Sequence, residues 1–167
     1  MSNKKIFVTV GTTKFDNLIN TITSDELLKE LCKKGYNQLI LQIGKTDLKP
    51  DCTPRLGFNH IEAFDLSPSL NEAMKSADLV ISHAGAGSCL EALELCKPLI
   101  IVTNDLLMNN HQSELAEQLY KDGYLYYSNC KDLCELVQKM DLTKLIPFKD
   151  NKSQKIANVI DVIMGFS

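Results

Sequence analysis

Short apolar runs alternate along the chain with longer stretches in which apolar residues recur every three or four positions. The short runs are rich in β-branched residues, which favours buried β-strands, and the longer stretches have the spacing of amphipathic α-helices. This pattern predicts six strands, at residues 6–10, 39–43, 60–64, 79–81, 99–102 and 125–127.

Helices are predicted between and after these strands. The first is expected to break near Thr23 and Ser24 and to end at Gly35, and Ser67 followed by Pro68 is typical of a helix start. The helical stretches cover residues 17–34, 67–77, 88–96, 111–121, 132–140 and 153–164.

Strands that are apolar throughout and separated by helices indicate a parallel sheet covered on both faces. The predicted fold class is therefore α/β, with a doubly wound, mostly parallel, Rossmann-like sheet. A length of 167 residues suits one domain with a sizeable core, and no repeat or internal linker is visible. We expect a single domain over residues 1–167.

Composition and charge exclude several classes of function. A net charge of −3 with scattered lysines gives no electrostatic footprint for nucleic acid. No apolar run approaches the roughly 20 residues that span a bilayer, and the first residues lack the features of a signal peptide. We expect a cytoplasmic protein that reaches a membrane only through a partner.

The six cysteines form no CxxC pair and are expected to be reduced and mostly buried. Cys130 and Cys134 could share a helix face, but no histidine neighbours them. Because zinc sites need more ligands than this pair supplies, and no Asp-x-Asp motif occurs, no metal site is expected.

Ligands of doubly wound sheets bind beyond the carboxyl ends of the strands, near the switch in strand order. In this chain those ends carry glycines, hydroxyls and other polar groups, at residues 11–13, 44–45, 82–85 and 103–105. A ligand site is therefore predicted at this edge of the sheet.

The motif VISHAGAGSCLE joins the fourth strand to a helix. Gly85 and Gly87 permit close approach to the backbone, and a helix that starts near Ser88 would direct unpaired N–H groups at a phosphate. Ser88 and Glu91 also have the spacing of a capping box, which would make the turn structural. A dinucleotide fingerprint is less favoured, because the motif follows the fourth strand and Leu90 occupies the third glycine position.

A polar segment, NDLLMNNHQSELA, follows the fifth strand. Its amides suit sugar hydroxyls and an acetamido group; Gln112 is a candidate contact, whereas Asn110 alone is better explained as a helix N-cap. His83 is a candidate general base, a phosphate donor, or a histidine that only fixes its loop. Gly11 and Thr12 form either a second phosphate contact or a plain turn.

The segments FVTVGTT, LILQIG, ADLVISHAGAGSCLEAL, KPLIIV and LMNNHQSELA resemble the small cytosolic subunits of the eukaryotic UDP-N-acetylglucosamine transferase. More distantly, the chain is similar to the carboxyl half of the bacterial lipid-linked GlcNAc transferases of glycosyltransferase family 28. The resemblance covers nearly the full chain. It implies a GT-B architecture, of which this chain supplies the donor-binding half.

The resemblance also implies a partner and a reaction. The partner is a membrane-anchored, acceptor-binding subunit that presents the lipid-linked acceptor at the cytosolic face of the endoplasmic reticulum. The reaction is inverting transfer of GlcNAc from UDP-GlcNAc to GlcNAc-diphosphodolichol, the second sugar addition of the dolichol pathway of N-glycosylation, without a metal or other cofactor. Residues 152–166 would form a C-terminal helix that docks this partner or packs on its own sheet.

By the same resemblance, and by the strand-then-glycine pattern that Gly11 and Thr12 repeat, the donor diphosphate is expected at Gly11, Thr12, His83, Ala84, Gly85, Ala86, Gly87 and Ser88. The ribose and uracil fall to Glu91, Phe64 and Ser67, and the sugar falls to Asn110, His111 and Gln112. Leu115 stands where the bacterial relatives have an asparagine. The general base is either His83 or a group on the partner.

Two other functions stay open from the residues alone. One is a non-catalytic module that binds uridine nucleotides and regulates a partner. The other is an NAD-type oxidoreductase domain.

Overall fold

The computed structural model describes residues 4–11, 14–65, 71–83, 86–103 and 117–146 of the chain. Within these ranges, six strands pair in parallel in the order β3-β2-β1-β4-β5-β6. The strands are β1 (Lys5–Thr9), β2 (Gln38–Gln42), β3 (His60–Phe64), β4 (Leu79–His83), β5 (Leu99–Thr103) and β6 (Tyr126–Asn129). The order reverses direction between β1 and β4, which is the switch point of a doubly wound sheet.

Helices connect the strands. They are α1 (Asp16–Ile22), α2 (Asp25–Lys33), α3 (Asn71–Ser76), α4 (Ala86–Glu94), a helical segment at 117–121 (α5) and α6 (Leu133–Lys139), followed by a 3-10 turn at Leu142–Lys144. The predicted break at Thr23 and Ser24 is confirmed. Ser24 ends one helix and caps the next, because its Oγ accepts a hydrogen bond from the backbone N–H of Leu27 at 3.4 Å.

The α/β prediction is confirmed, and all six predicted strands are present with ends shifted by at most two residues. The predicted helix start at Ser67 and Pro68 lies outside the described residues. So do the first residues of the helix predicted at 111–121 and the whole helix predicted at 153–164. In the described ranges, no helix has the length and apolar character needed to cross a membrane.

Both faces of the sheet are covered, as the continuous apolar strands require. Ile6 and Val8 of β1 pack with α1, α2 and α6, whereas Phe7 between them packs with α3 and α4 on the other side. Alternation of side chains along a strand produces this division. The two core layers meet the sheet along its full width.

The expectation of mostly buried cysteines is wrong. None of the six is in a disulfide, but only Cys89 is buried, Cys96 is exposed and the other four are partly exposed. Cys96 has a positive φ of 56° just after α4, a position that glycine usually fills. The thiol of Cys96 therefore lies exposed at the C-terminal turn of α4.

Arg55 fastens the long connection between β2 and β3 to the junction of α1 and α2. Its largely buried guanidinium donates to the carbonyl oxygens of Thr23 at 2.8 Å, Thr53 at 2.9 Å and Asp51 at 3.0 Å. The planar fork of donors reaches all three carbonyls at once, which a lysine ammonium cannot do.

Replacement of Arg55 by methionine should lower the free energy of unfolding by about 2 kcal/mol, since it removes charge-assisted hydrogen bonds and keeps the apolar stem. Asp25→Asn is the control: its carboxylate lies 3.8 Å from Arg55 Nε but is 75% exposed, so this ion pair contributes little. Urea unfolding measures both variants. Equal losses would show that the ion pair, and not the carbonyl contacts, gives Arg55 its effect.

Candidate functional site

The buried polar side chains of the described residues are gathered at one edge of the sheet. We call this set the polar rim: Thr9, Gln42, Ser82, Thr103 and Ser128. Each is the last or next-to-last residue of its strand, so the rim follows the carboxyl ends of β1, β2, β4, β5 and β6. Ligands of such sheets bind at this edge, and the structure marks it by polarity in an otherwise apolar core.

Gly11 and His83 meet at the switch point, from opposite sides. Gly11 follows β1 with a φ of +64°, and His83 ends the neighbouring strand β4. A Cβ placed on Gly11 would lie 2.7 Å from His83 Nε2 and 3.2 Å from Cε1. Only glycine fits here, both for its backbone conformation and for its contact with the imidazole.

Burial lowers the pKa of His83 to about 4. The imidazole is therefore neutral near pH 7, with one nitrogen as a donor and the other as an acceptor. A base of so low a pKa is poorly matched to general-base catalysis at neutral pH. A ring N–H that donates to an anion is the chemistry that this position favours.

A hydrogen-bond network fixes the Gly11 turn. Thr9 Oγ1 accepts from the Gly11 N–H at 3.0 Å and donates to Oε1 of the buried Gln42. Gln42 Nε2 donates to Gly11 O at 2.6 Å and to Asp65 O, just beyond β3, at 3.0 Å. The carboxamide thus joins the ends of three adjacent strands.

Helix α4 begins at Ala86, two residues earlier than predicted. Ser88 is its third residue and not its N-cap, so the capping-box interpretation of Ser88 and Glu91 is wrong. The backbone N–H groups of the first three residues lie in the first turn, where an α-helix has no partners for them. Cys89 Sγ donates to His83 O at 3.6 Å and ties this first part of α4 to the end of β4.

Glu91 is held by a residue of another helix. Asn71 Nδ2, at the start of α3, donates to Glu91 Oε1 at 3.1 Å. Glu91 is half-buried and faces this neighbour instead of its own helix start. A carboxylate so oriented still has its second oxygen to offer a ligand.

A depression of about 760 Å³ continues the edge beyond the switch point. Thr103 ends β5 and Ser128 and Asn129 end β6, and all three line it together with Tyr127. Polar strand ends beside an aromatic ring suit a hydroxyl-rich ligand. Among the described residues, the ends of β5 and β6 therefore border a space that a ligand could occupy.

The structure brings together some of the predicted site residues and leaves others untested. Gly11, His83, the start of α4 and Glu91 share the carboxyl edge, and Phe64 ends β3 at the same edge. The positions outside the described residues are Thr12, Ala84, Gly85, Ser67, Asn110, His111 and Gln112, and only the backbone of Ala86 and Gly87 is described.

Sequence reasoning missed three polar residues of the site: Thr9, Gln42 and Asn71. The signal for Gln42 was present, since one glutamine interrupts the apolar run LILQIG immediately before a glycine. Thr9 and Asn71 carried no comparable mark, because threonine is common in strands and asparagine is common at helix starts.

The profile described as "Glycosyltransferase family 28 C-terminal domain" matches residues 5–163, nearly the entire chain. The chain belongs to glycosyltransferase family 28. The parallel sheet with its switch point is the fold expected of a domain of this family.

Relatives of this family 28 chain carry the name UDP-N-acetylglucosamine transferase subunit ALG13. The Homo sapiens protein is 51% identical over 130 residues, which are 78% of this chain but 11% of that protein. The Candida albicans protein is 33% identical over an alignment of 192 positions, which covers 92% of this chain and 66% of that protein. The chain thus spans about a tenth of the length of the human relative.

Solved structures agree with this family 28 assignment. A solution NMR structure of ALG13 matches with a TM-score of 0.75 at 28% identity and covers 98% of both chains. MurG of Acinetobacter baumannii matches with a TM-score of 0.66 at 18% identity, over 98% of this chain and 50% of that one. The second likeness shows the fold, which matches half of the length of that MurG chain.

Replacement of Gly11 by alanine should destabilise the family 28 domain more than replacement of Gly35. Both glycines have positive φ, but a Cβ on Gly35 would meet only Lys4, at 3.6 Å. We expect Gly35→Ala to cost about 1–2 kcal/mol from backbone strain alone, and Gly11→Ala to cost 1–3 kcal/mol more from its collision with His83.

Urea unfolding of both variants checks this expectation, together with the double variant Gly11→Ala/His83→Ala. Removal of the imidazole should recover the excess loss. An excess that persists without the imidazole would contradict the contact.

Acid should destabilise the wild-type domain through His83. The folded pKa of about 4 lies below the usual 6.5, so the unfolded chain binds the proton more readily. The stability that the neutral imidazole allows is present above pH 6.5 and is lost as the pH falls through 4. Relative to His83→Gln, the wild type should lose on the order of 2–3 kcal/mol across this window, measured by urea unfolding at each pH. Parallel pH profiles for the two proteins would contradict the pKa shift.

Proposed function

We propose that this chain is the donor-binding, catalytic subunit of a heteromeric UDP-N-acetylglucosaminyltransferase. The observation that carries the proposal is the switch point, where Gly11, a neutral His83 and the start of α4 meet beside the polar rim. Curated relatives named as subunits of such a transferase support it.

The diphosphate of UDP-GlcNAc would lie at this switch point. The first-turn amides of α4 and the His83 N–H are neutral, oriented donors, which suit a diphosphate without a lysine. The Gly11 turn lets the ligand approach the backbone closely. Residues Ala84, Gly85 and Ser88 of the same turn complete this assignment, and Thr12 is assigned to it as well.

The nucleoside and the sugar would extend to the two sides. Glu91, oriented by Asn71, would accept hydrogen bonds from the ribose hydroxyls. The uracil would lie along the backbone from Phe64 to Ser67, beyond β3. Asn110, His111 and Gln112, which follow β5 in the chain, would hold the GlcNAc on the side of the depression.

The reaction is a displacement at the anomeric carbon with inversion. The 4-hydroxyl oxygen of the acceptor GlcNAc bonds to this carbon as the bond to the UDP oxygen breaks, and UDP leaves with the electron pair. Fixed amide dipoles stabilise the charge that develops on the leaving diphosphate, so we expect no metal requirement. With a pKa of about 4, His83 is a poor acceptor for the hydroxyl proton, which we assign to a group on the partner.

The partner would be a membrane-anchored subunit that binds GlcNAc-diphosphodolichol. It would recruit this chain to the cytosolic face of the endoplasmic reticulum, and residues 152–166 are a candidate docking helix. The naming of the curated relatives as subunits supports a partner of this kind. An NAD-type site is not supported, because Leu90 at the third glycine position is a partly buried residue of α4 that packs on the core.

Transfer of radiolabelled GlcNAc from UDP-GlcNAc to a synthetic GlcNAc-diphospholipid tests the proposal. The purified chain should be inactive alone and active with membranes that contain the acceptor-binding subunit, and EDTA should leave the rate unchanged. In this complex, Glu91→Ala should raise the KM for UDP-GlcNAc about tenfold or more, because a buried charge-assisted hydrogen bond is lost.

Asn71→Ala is the intermediate variant. It removes the hydrogen bond that orients the Glu91 carboxylate but keeps the carboxylate, so we expect the KM for UDP-GlcNAc to rise only a few-fold. Glu94→Ala, on the exposed end of the same helix, is the neutral control. If the chain binds UDP but no transfer is observed with the partner, the regulatory-module alternative would be favoured. Activity of the isolated chain would refute the division into two subunits.

A further inference from the structure

We infer that Gln42 is a positioning residue that couples the phosphate side of the donor site to its nucleoside side. This inference rests on the proposed function and adds a residue that lies outside the ligand contacts. Gln42 is the last residue of β2, between β1 and β3 in the sheet, and it is 2% exposed.

The carboxamide uses its hydrogen-bonding groups on two different loops. Its Nε2 donates to Gly11 O at 2.6 Å, in the turn that packs on His83, and to Asp65 O at 3.0 Å, in the segment that would flank the uracil. Its Oε1 accepts from the Thr9 hydroxyl, and that hydroxyl in turn accepts the Gly11 N–H at 3.0 Å.

Ordinary strand pairing provides only part of these links: it reaches Asp65 O, whereas the Gln42 side chain reaches Gly11 O. Backbone pairing continues past β2 through Ile43, whose N–H donates to Phe64 O, and Gly44, whose N–H donates to Asp65 O. The Gly11 carbonyl turns away from this ladder with its positive φ, and the side chain of Gln42 reaches it instead. One buried amide thus joins the Gly11 turn directly to the Asp65 carbonyl, which the Gly44 N–H also holds.

The free-energy cost of burying an unpaired carboxamide keeps these hydrogen bonds in place. A carboxamide without partners in an apolar core costs several kcal/mol, so its hydrogen bonds favour one arrangement of both loops. Within the described residues, no buried side-chain nitrogen or oxygen lacks a partner. UDP-GlcNAc would contact both loops. It would then find the loops already at the correct separation before it binds.

Two pairs of variants test the coupling. Gln42→Met keeps the length of the side chain and removes its polar groups, and Thr9→Val is isosteric and removes the hydroxyl. Thr9→Ser retains the hydroxyl and is the conservative rescue. Val137→Ala, in the buried core on α6, is the control for stability loss alone.

Binding is measured by NMR titration with UDP and with uridine, and kinetics are measured in the reconstituted transferase. Thr9→Val and Gln42→Met should weaken both ligands at least tenfold and raise the donor KM to match, with kcat within threefold and the acceptor KM unchanged. Thr9→Ser should bind within threefold of wild type. Val137→Ala should bind like wild type despite a lower free energy of unfolding.

The possible failures are distinct. If wild-type chain binds UDP and Thr9→Val binds equally well, the inference is wrong and the proposed function stands. Loss of UDP affinity with unchanged uridine affinity would overturn the coupling, since Gln42 would then serve the Gly11 turn alone. An equal loss in Val137→Ala would reduce the effect to general destabilisation and overturn the positioning role. A wild-type chain that binds no UDP would overturn the proposed function and this inference together.

Discussion

Hydrogen bonds of buried polar side chains at the carboxyl edge constrain the rest of this domain. A hydroxyl or carboxamide in an apolar interior must be paired. Here Thr9 and Gln42 pair with each other, and Gln42 and Thr103 also donate to backbone carbonyls where strands end. These bonds link the ends of β1, β2 and β3 and, separately, of β5 and β6. Linked strand ends resist separate movement, and fixed dipoles at such an edge are what electrostatic catalysis requires.

The described residues of the switch point, in addition, carry no charge of their own. Because burial keeps His83 uncharged, the groups that would meet a diphosphate at the switch point are dipoles: an imidazole N–H and the first amides of α4. Dipoles stabilise a bound anion less strongly than a buried cation would, so the anion is released more readily. A transferase that must discharge a nucleoside diphosphate in every cycle benefits from this balance.

The sequence predicted the architecture well because its strands are continuously apolar and short. It failed at the start of α4, where Ser88 and Glu91 imitate a cap; the helix instead begins in the glycine motif itself, at Ala86. It also could not predict contacts between distant segments. Asn71 and Glu91 are 20 residues apart, and the packing of α3 beside α4 alone brings them together.

The sequence therefore predicted candidate positions of the site but not the residues that hold them in place. Motifs identified the residues at the switch point, such as Gly11 and His83, because glycine and histidine stand out at strand ends. Gln42 and Thr9 act through other residues, and side chains of that kind follow no local spacing. Their role became visible only when the register placed β2 between β1 and β3.

Cys96 gives the domain a natural point of attachment for a reporter. It is the exposed member of six thiols and stands just past the last turn of α4, whose nine residues span about 13 Å. A fluorophore on this sulfur would sit at the far end of the helix whose first turn faces the switch point. With the four partly exposed cysteines replaced, the domain could carry a spectroscopic label at the end of α4 while the ligand edge stays unmodified.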